Sequence, residues 1–252
     1  MSDAPDDEVL VGGNVTPVVR RGDAVHRQAG EWTPAVHLLL RTLHHAGIDE
    51  VPEPRGFDQF GREILSFVPG ETLADAAPRV LWSVDVLRSA ARLLRRIHDA
   101  SVPLVADPSL VWRSPRREPA EVICHNDFAT YNLLVRGETL SGAIDFDFAS
   151  PGSRAWDLSY LAYRIVPFAE DAPHTEGLDR RIRLDALIRA YGGGVAADEI
   201  IATAADRLDD LRAFTLGRRR ATGRVDFAEH AAMYGRDAER LRGPRPWAIS
   251  LS

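Results

Sequence analysis

Three short motifs lie close together in the middle of the chain and decide its fold. Residues 125–132 read HNDFATYN, residues 143–147 read AIDFD, and residues 156–158 read WDL. They combine an Asn with several Asp residues, which are side chains that bind metal ions or accept protons in active sites. The order and spacing of these motifs are the most informative signal in the sequence.

Short apolar runs accompany these motifs at Val122–Cys124, Leu133–Val135 and Gly142–Phe146, and each is typical of a strand. The last two runs are separated by a turn, which predicts a β-hairpin. In this hairpin Asn132, just before one strand, and Asp145, toward the end of the other, would lie at the same open end.

This arrangement suits phosphoryl transfer. Asn132 and Asp145 would offer oxygen ligands that hold Mg²⁺ against nucleotide phosphates. Asp127 lies in the connection before the hairpin, where its carboxylate could orient an acceptor hydroxyl and take its proton.

The sequence HxDxxxxN, followed by IDFD and then WDL, resembles the aminoglycoside phosphotransferase and choline kinase family, whose members are relatives of the protein kinases. The resemblance covers most of the chain. It implies an α+β, bilobal protein-kinase-like fold, with a small β-rich lobe at residues 1–68 and a larger, mainly helical lobe at residues 69–252. It also implies Asp127 as the catalytic base, Asn132 and Asp145 as magnesium ligands, and ATP with Mg²⁺ as cofactors.

Three neighbouring side chains receive supporting roles. His125 is expected to brace the catalytic loop, as its motif equivalent does in related kinases. Asp157 is expected to cap a helix. Asp147, the second acid of IDFD, is a further candidate for the metal shell.

Two features argue against a protein kinase. Asn126 stands before Asp127, where protein kinases have an Arg that pairs with an activation-loop phosphate. The segment between Asp145 and Asp157 is too short for a long activation and peptide-docking loop. The expected acceptor is therefore a small hydroxylated molecule.

The N-terminal part reads as strand-rich. Strands are predicted at Val15–Arg21, Ala24–Ala29 and Arg62–Val68, the first two joined by a hairpin turn. Between them, Thr33 followed by a proline predicts the N-cap of a helix that continues to about Ala46.

All 31 basic residues of the chain are Arg, so no lysine can bind phosphate. By resemblance to the Val-x-Arg pattern of choline kinases, Arg27 is the candidate for this role, because Arg also binds phosphate. The alternative is a solvated strand Arg. The family's helix Glu, which pairs with this cation, is not evident; Val36 or His37 falls near its place.

Two backbone segments complete the predicted nucleotide site. Gly12 and Gly13 could form a turn that covers phosphates. Ser66, Phe67 and Val68 resemble the family's hinge, whose backbone groups would meet adenine.

The remainder is predicted to be mainly helical. Ser83 could cap a helix whose apolar positions follow a 3.6-residue period. A later helix carries one apolar face, formed by Ile200, Ala204, Leu208, Leu211 and Thr215.

The composition excludes several classes. The net charge is −6, with 37 acidic residues, whereas nucleic-acid binders are usually basic. No apolar run is long enough to span a membrane, and the acidic N-terminus does not resemble a secretory signal. We therefore expect a cytoplasmic protein with no nucleic-acid or membrane partner. The sequence leaves the oligomeric state open.

Three kinds of acceptor site remain open. A polycationic sugar would need acidic residues, for which the candidates are Glu170, Asp171, Glu176, Asp206, Asp209 and Asp210. An anionic acceptor would suit the arginines at 218, 219, 220 and 224. A choline-like acceptor would need an aromatic cage, for which Trp156, Tyr160, Tyr163 and Phe168 have suitable spacing.

The sequence thus predicts an ATP-dependent phosphotransferase that moves the γ-phosphate to a hydroxyl of a small molecule, such as an aminoglycoside-like or other amino or sugar alcohol. It does not distinguish ATP from GTP. The competing prediction is a catalytically degraded relative that binds nucleotide or ligand without transfer, because the Lys and the helix Glu are missing.

Overall fold

A five-stranded antiparallel sheet forms the N-terminal part of the protein. The structure, a computed structural model, describes the backbone of residues 8–10 and all atoms of residues 18–244 and 246. The strands lie in the order β1-β2-β3-β5-β4. Their bounds are Glu8–Leu10 (β1), Val18–Arg21 (β2), Ala24–Arg27 (β3), Pro54–Phe57 (β4) and Glu63–Ser66 (β5).

The predicted hairpin between the first two apolar runs is confirmed. Arg21 of β2 pairs with Ala24 of β3, so that Gly22 and Asp23 form a two-residue turn. Gly22 has φ of 61°, a left-handed conformation that glycine adopts without a Cβ clash.

The helix that follows the hairpin, α1, spans Thr33–His45, close to the predicted range. The predicted cap is wrong, because the N-cap is Trp32 and Thr33 already belongs to the helix. The Thr33 hydroxyl instead accepts a hydrogen bond from the backbone N–H of Gly30 at 2.9 Å. Thr33 therefore ties the preceding turn to the helix.

Helices dominate the rest of the chain, as predicted. Their bounds are Pro78–Leu81 (α2), Val84–Ser101 (α3), Arg154–Ile165 (α4), Arg180–Tyr191 (α5), Ala197–Thr222 (α6) and Asp226–Arg242 (α7). The predicted cap of α3 is confirmed, since Ser83 accepts a hydrogen bond from the N–H of Val86. Within the described residues, no helix combines the length and the apolar character that a membrane span requires.

The predicted apolar face of α6 is also confirmed. Ile200, Ala204 and Leu208 are almost fully buried, and Thr215 is 8% exposed. This face packs on α4 and α7, so α6 becomes one wall of the helical part.

Two small antiparallel sheets are formed by strands that follow β5 in the chain. One has the order β6-β8-β9 and the other pairs β7 with β10. Their bounds are Glu71–Thr72 (β6), Val122–Cys124 (β7), Leu133–Arg136 (β8), Thr139–Ala143 (β9) and Ser150–Gly152 (β10). The architecture is the predicted α+β mixture, and the predicted lobe boundary after Val68 falls between β5 and β6.

The predicted strand Gly142–Phe146 is displaced in the structure. The observed strand β9 ends at Ala143, and Asp145 has φ of 65°. A short 3₁₀ helix, Phe146–Phe148, follows directly. A positive φ turns the chain out of the strand direction. Asp adopts a positive φ more readily than β-branched residues do.

The prediction that Asp157 caps a helix is wrong. It lies inside α4, whose N-cap is Ser153. The carboxylate is fully buried and accepts hydrogen bonds from the backbone N–H groups of His125 (2.7 Å) and Asn126 (2.9 Å). It also contacts Nε2 of His98 on α3 at 3.1 Å. One carboxylate thus ties two helices to the loop after β7.

The charge of Asp157 is maintained by its neighbours. Burial alone would raise its pKa, but the hydrogen bond with His98 and the nearby His125 and Arg207 hold the pKa at about 2. Because this pKa is below that of an unfolded Asp, the carboxylate stabilises the fold above about pH 4. That contribution, roughly 2 kcal/mol, is lost as the pH falls toward 2.

We predict that Asp157→Asn lowers the free energy of unfolding by roughly 3–5 kcal/mol at pH 7, because an amide nitrogen would face a backbone N–H donor. The difference from wild type should shrink by about 2 kcal/mol at pH 2. Urea unfolding followed by tryptophan fluorescence measures both values.

Asp85→Asn is the matched control, since Asp85 on α3 is 87% exposed. This change should alter stability by less than about 0.5 kcal/mol. Equal effects of the two substitutions, or a pH-independent effect of Asp157→Asn, would contradict the role assigned to Asp157.

Candidate active site

The β8–β9 hairpin brings Asn132 and Asp145 together, as predicted. Leu133 pairs with Ala143, so Asn132 and Ile144 leave the hairpin at the same end. The N–H of Ile144 donates to the carbonyl of Asn132 at 2.9 Å, which places Asp145 next to this pair.

Asp127 lies beside Asn132. The Asn132 amide nitrogen donates to the carboxylate Oδ2 and to the carbonyl oxygen of Asp127, both at 2.9 Å. The hydroxyl of Tyr131 donates to Oδ1 at 2.5 Å and lies 2.9 Å from the hydroxyl of Tyr160. These contacts hold the carboxylate in one orientation.

Burial of Asp127 raises its pKa to about 6. The Tyr131 hydrogen bond lowers the pKa, the neighbouring charge of Asp145 raises it, and the positive charge of Arg207 lowers it. A carboxylate with this pKa is still ionised at pH 7 and is a stronger base than an ordinary Asp.

The loop that carries Asp127 is fixed by its own backbone contacts. His125 lies 3.0 Å from the carbonyl of Ile144 through Nε2, and its Nδ1 accepts the N–H of Asp127 at 3.1 Å. His125 therefore contacts the loop on both sides, which is the expected bracing position. Burial lowers its pKa, which favours the neutral ring.

Asn126 holds the other side of the loop. Its side chain donates to the carbonyl of Phe148 (2.9 Å) and to the hydroxyl of Ser150 (2.8 Å), and it accepts from the indole of Trp156. Its φ is 63°, so these three bonds maintain an unusual backbone conformation.

Arg27 extends from β3 into this region and contacts three carboxylates. Its guanidinium lies 2.5 Å from Glu63, 3.0 Å from Asp145 and 2.6 Å from Asp147. Burial would lower its pKa, but the three negative charges raise it above its ordinary value. Arg27 is therefore not a solvated strand residue, and it links the large sheet to the segment after β9.

Glu63 is the acid that pairs with Arg27, in place of the helix Glu that the sequence lacks on α1. It lies opposite Arg27 in the β3–β5 pairing and is 1% exposed. Its other oxygen contacts Nε2 of His37 on α1 at 3.1 Å. Thus the acid comes from the neighbouring strand, and the helix contributes a histidine that braces it.

The alternation of residues in β5 could have indicated that Glu63 is buried. Glu63 and Leu65 occupy the same face of β5, and both are buried. A charged residue on the apolar face of a strand requires a buried partner.

Asp147 is held by two arginines. Besides Arg27, it contacts Arg113 at 3.3 Å, and the Arg113 guanidinium stacks over the rings of Trp32 and Phe148. Asp147 is thus engaged in ion pairs, whereas the side chain of Asp145 is 41% exposed.

The predicted hinge has few free backbone donors. The N–H of Ser66 donates to Glu53 and that of Phe67 to Asp23. Among the described residues, Val68 is the hinge position whose N–H has no backbone acceptor. The predicted glycine turn, Gly12 and Gly13, lies outside the described residues.

A cavity of about 560 Å³ opens beside Asp127. Polar and aromatic side chains line it from the segment before β7, the loop after β7, the 3₁₀ helix Phe146–Phe148, α4, α6 and α7. The lining includes Arg113, Arg117, Asp127, Tyr131, Phe148, Trp156, Tyr160, Arg207, Asp210, Phe214, Arg218 and Tyr234.

Asn132 and Asp145 fit a Mg²⁺ ion that is shared with phosphates. Among the described residues the amide oxygen of Asn132 accepts no hydrogen bond, and the carboxylate of Asp145 is accessible. The described residues contain no cluster of three or more His, Cys, Asp or Glu suited to a metal. Mg²⁺ needs only one or two protein ligands when phosphates and water supply the rest.

We predict that Glu63→Gln lowers the free energy of unfolding by roughly 3 kcal/mol, because it removes the buried charge that balances Arg27. Glu53→Gln is the control, since Glu53 is 60% exposed and pairs with Arg55 at 3.5 Å. Urea unfolding measures both variants. Equal, small effects would show that Glu63 contributes nothing beyond a surface ion pair.

Solved structures share this fold at low sequence identity. A choline/ethanolamine kinase family protein from Mesorhizobium loti is 19% identical, with a TM-score of 0.63 over 96% of this chain and 90% of that one. An amicoumacin kinase in complex with AMP-PNP and Ca²⁺ is 13% identical, with a TM-score of 0.69 over 93% and 87% of the two chains. The predicted kinase-like fold is therefore confirmed.

Similarity is higher to one curated protein. The trifolitoxin immunity protein of Rhizobium leguminosarum bv. trifolii is 36% identical over 152 residues, which cover 58% of this chain and 57% of that protein. The match thus spans little more than half the length of the relative.

A sequence model of the phosphotransferase enzyme family matches residues 19–199. The matched range contains Arg27, Glu63, Asp127, Asn132 and Asp145, so it includes the contacts described above. With most of its length matched, the chain belongs to the phosphotransferase enzyme family.

Proposed function

We propose that the protein transfers the γ-phosphate of ATP to a hydroxyl group of a small molecule. The observation that carries this proposal is the position of Asp127, which lines the cavity and also contacts Asn132. An acceptor in the cavity would thereby meet the carboxylate next to the residues that suit phosphate-bound Mg²⁺.

Asp127 would act as the catalytic base. Both of its oxygens accept hydrogen bonds, but each carboxylate oxygen has a second lone pair for an acceptor hydroxyl. As the hydroxyl oxygen bonds to the γ-phosphorus, the bond from this phosphorus to the leaving oxygen of ADP breaks and the hydroxyl proton moves to Asp127.

Asn132 and Asp145 would hold Mg²⁺, which neutralises the phosphate charge when bound. Arg27 supplies a fixed positive charge beside Asp145, and Val68 offers a backbone donor for a nucleotide base. The similarity to a trifolitoxin immunity protein supports an acceptor that is toxic to the cell.

The competing function is nucleotide or ligand binding without transfer. Its support is the missing Lys and the missing helix Glu, but Arg27 stands as the candidate for the Lys, and Glu63 provides Arg27 with an acid at 2.5 Å. This observation favours the enzyme, because the cation of the nucleotide site keeps its orienting partner.

We predict that Asp127→Asn reduces transfer at least about 10²-fold with little change in nucleotide affinity. Asp145→Asn should remove the magnesium dependence of AMP-PNP binding, because it neutralises the accessible metal carboxylate. Calorimetric titration with and without Mg²⁺ measures binding, and ATP consumption in the presence of candidate acceptors measures transfer.

Asp49→Asn is the control, since Asp49 is 85% exposed and pairs with His44. It should leave both quantities unchanged. If Asp127→Asn weakened nucleotide binding as much as Asp145→Asn, the separate roles would be wrong. Magnesium-dependent binding with no turnover of any acceptor would favour the binding-only function.

We predict that activity falls as the pH drops below about 6, where Asp127 becomes protonated and cannot accept a proton. Tyr131→Phe removes a hydrogen bond that lowers this pKa, so the acid limb of the kcat/KM profile should move upward by about one pH unit.

Tyr234→Phe is the matched control, because Tyr234 lines the same cavity and makes no hydrogen bond to Asp127. Its acid limb should stay near pH 6. An acid limb that does not respond to Tyr131→Phe would mean that Asp127 does not limit the rate at low pH.

A further inference from the structure

The acids that could attract a polycationic acceptor nearly all form ion pairs with arginines. Each of five candidates forms an ion pair with an arginine, at 2.5 to 2.9 Å. The pairs are Glu170 with Arg236, Asp171 with Arg164, Asp206 and Asp209 with Arg242, and Asp210 with Arg117. The sixth candidate, Glu176, is exposed and does not line the cavity. Asp206 and Asp209 share one arginine and so keep a net negative charge, but like Glu176 they do not line the cavity.

The aromatic rings that could surround a choline-like cation are also occupied. Guanidinium groups of the protein already lie over them: Arg117 is 4.0 Å from the Trp156 ring centre, and Arg207 is 5.0 Å from Trp156 and 4.4 Å from Tyr160. Tyr163 is buried and donates its hydroxyl to Asp237. An added cation would meet positive charge at these rings, which is unfavourable.

The cavity instead has a surplus of positive charge. Four arginines and two carboxylates line it. Arg117 is balanced by Asp210, and Arg113 by Asp147 outside the lining. Arg207 is only 4% exposed and donates to two backbone carbonyls.

Of the four arginines that line the cavity, Arg218 is the one available to pair with an anionic ligand. It lies on α6, its side chain is half-buried at the cavity wall, and none of the described carboxylates forms an ion pair with it. Of the other arginines in its cluster, those at positions 219 and 220 are exposed, and Arg224 pairs with Asp226 at 2.6 Å. Within this cluster, Arg218 therefore combines two properties: it lines the cavity, and none of the described carboxylates neutralises it.

An apolar surface lies next to Arg218. Phe214, one helical turn earlier, is 55% exposed and packs edge-to-face against Phe148 with ring centres 6.3 Å apart. A ligand that covered this surface would bury aromatic area that is otherwise in water.

We propose that the cavity binds an acceptor with an anionic oxygen group, a carboxylate or a phosphate, which pairs with Arg218, and with an aromatic or apolar body that packs on Phe214. This proposal rests on the proposed function, since it names the class of acceptor for the same site. The hydroxyl to be phosphorylated then faces Asp127.

Direct binding of four probes to the full chain tests the proposal without requiring turnover. The probes share a benzyl alcohol body and differ in the para substituent: a carboxylate, a phosphate, a neutral carboxamide or an aminomethyl group. Ligand-observed NMR titration gives their dissociation constants at low and high salt. We expect the better anionic probe to bind about tenfold more tightly than the amide and the amine, with a preference that weakens in high salt.

Two variants test whether Arg218 causes the preference for the anionic probes. Arg218→Gln should abolish the preference for the anion, whereas Arg219→Gln, one position further on α6 and exposed, should keep it. Thermal unfolding of both variants should match wild type. Comparison of the carboxylate and phosphate probes identifies which anion is bound.

Several outcomes would overturn the proposal: tighter binding of the amine, no binding of either anion in the millimolar range, or an unchanged preference in Arg218→Gln. Failure of the proposed function gives a different result. In that case the charge preference would persist in the binding titration, but no phosphate would be transferred to any probe.

Discussion

A buried carboxylate, Asp157, holds together the elements on which the site depends. It accepts the backbone N–H groups of His125 and Asn126 and contacts His98. Water cannot replace these bonds, because Asp157 is fully buried. The loop that follows β7 is thus fixed to α3 and α4, and Asp127 at its end is presented to the cavity in one orientation.

A second constraint is the balance of charge around Arg27. Three carboxylates close to one another would repel, and the guanidinium keeps them together. Because Glu63 belongs to the large sheet and Asp145 to the segment after β9, this ion cluster also joins the two parts of the chain. The resemblance to choline kinases implied a helix Glu beside this cation; the acid beside Arg27 is instead Glu63 of strand β5, and α1 contributes His37.

Several features of the site could be predicted from sequence because they depend on local pattern. The spacing between Asn132 and Asp145 predicted a hairpin that brings them together, and the structure contains it. Glu63 was missed because its partner Arg27 is distant in sequence, although the alternation of β5 indicated a buried charge. Asp157 was assigned to a cap because a short-range role is the default for an Asp near a helix start.

The sequence by itself determined the α+β architecture and the family, and it predicted the candidate residues Asp127, Asn132 and Asp145, because these depend on periodicity and on motifs read along the chain. Only the tertiary structure decided the charge of the cavity beside Asp127. Whether an arginine is neutralised depends on which carboxylate lies within about 4 Å of it, and these partners are far apart in sequence, as Arg117 and Asp210 are. The sequence shows many acids and many arginines, and within the part of the chain that the structure describes, their pairing in space gives Arg218 no acid.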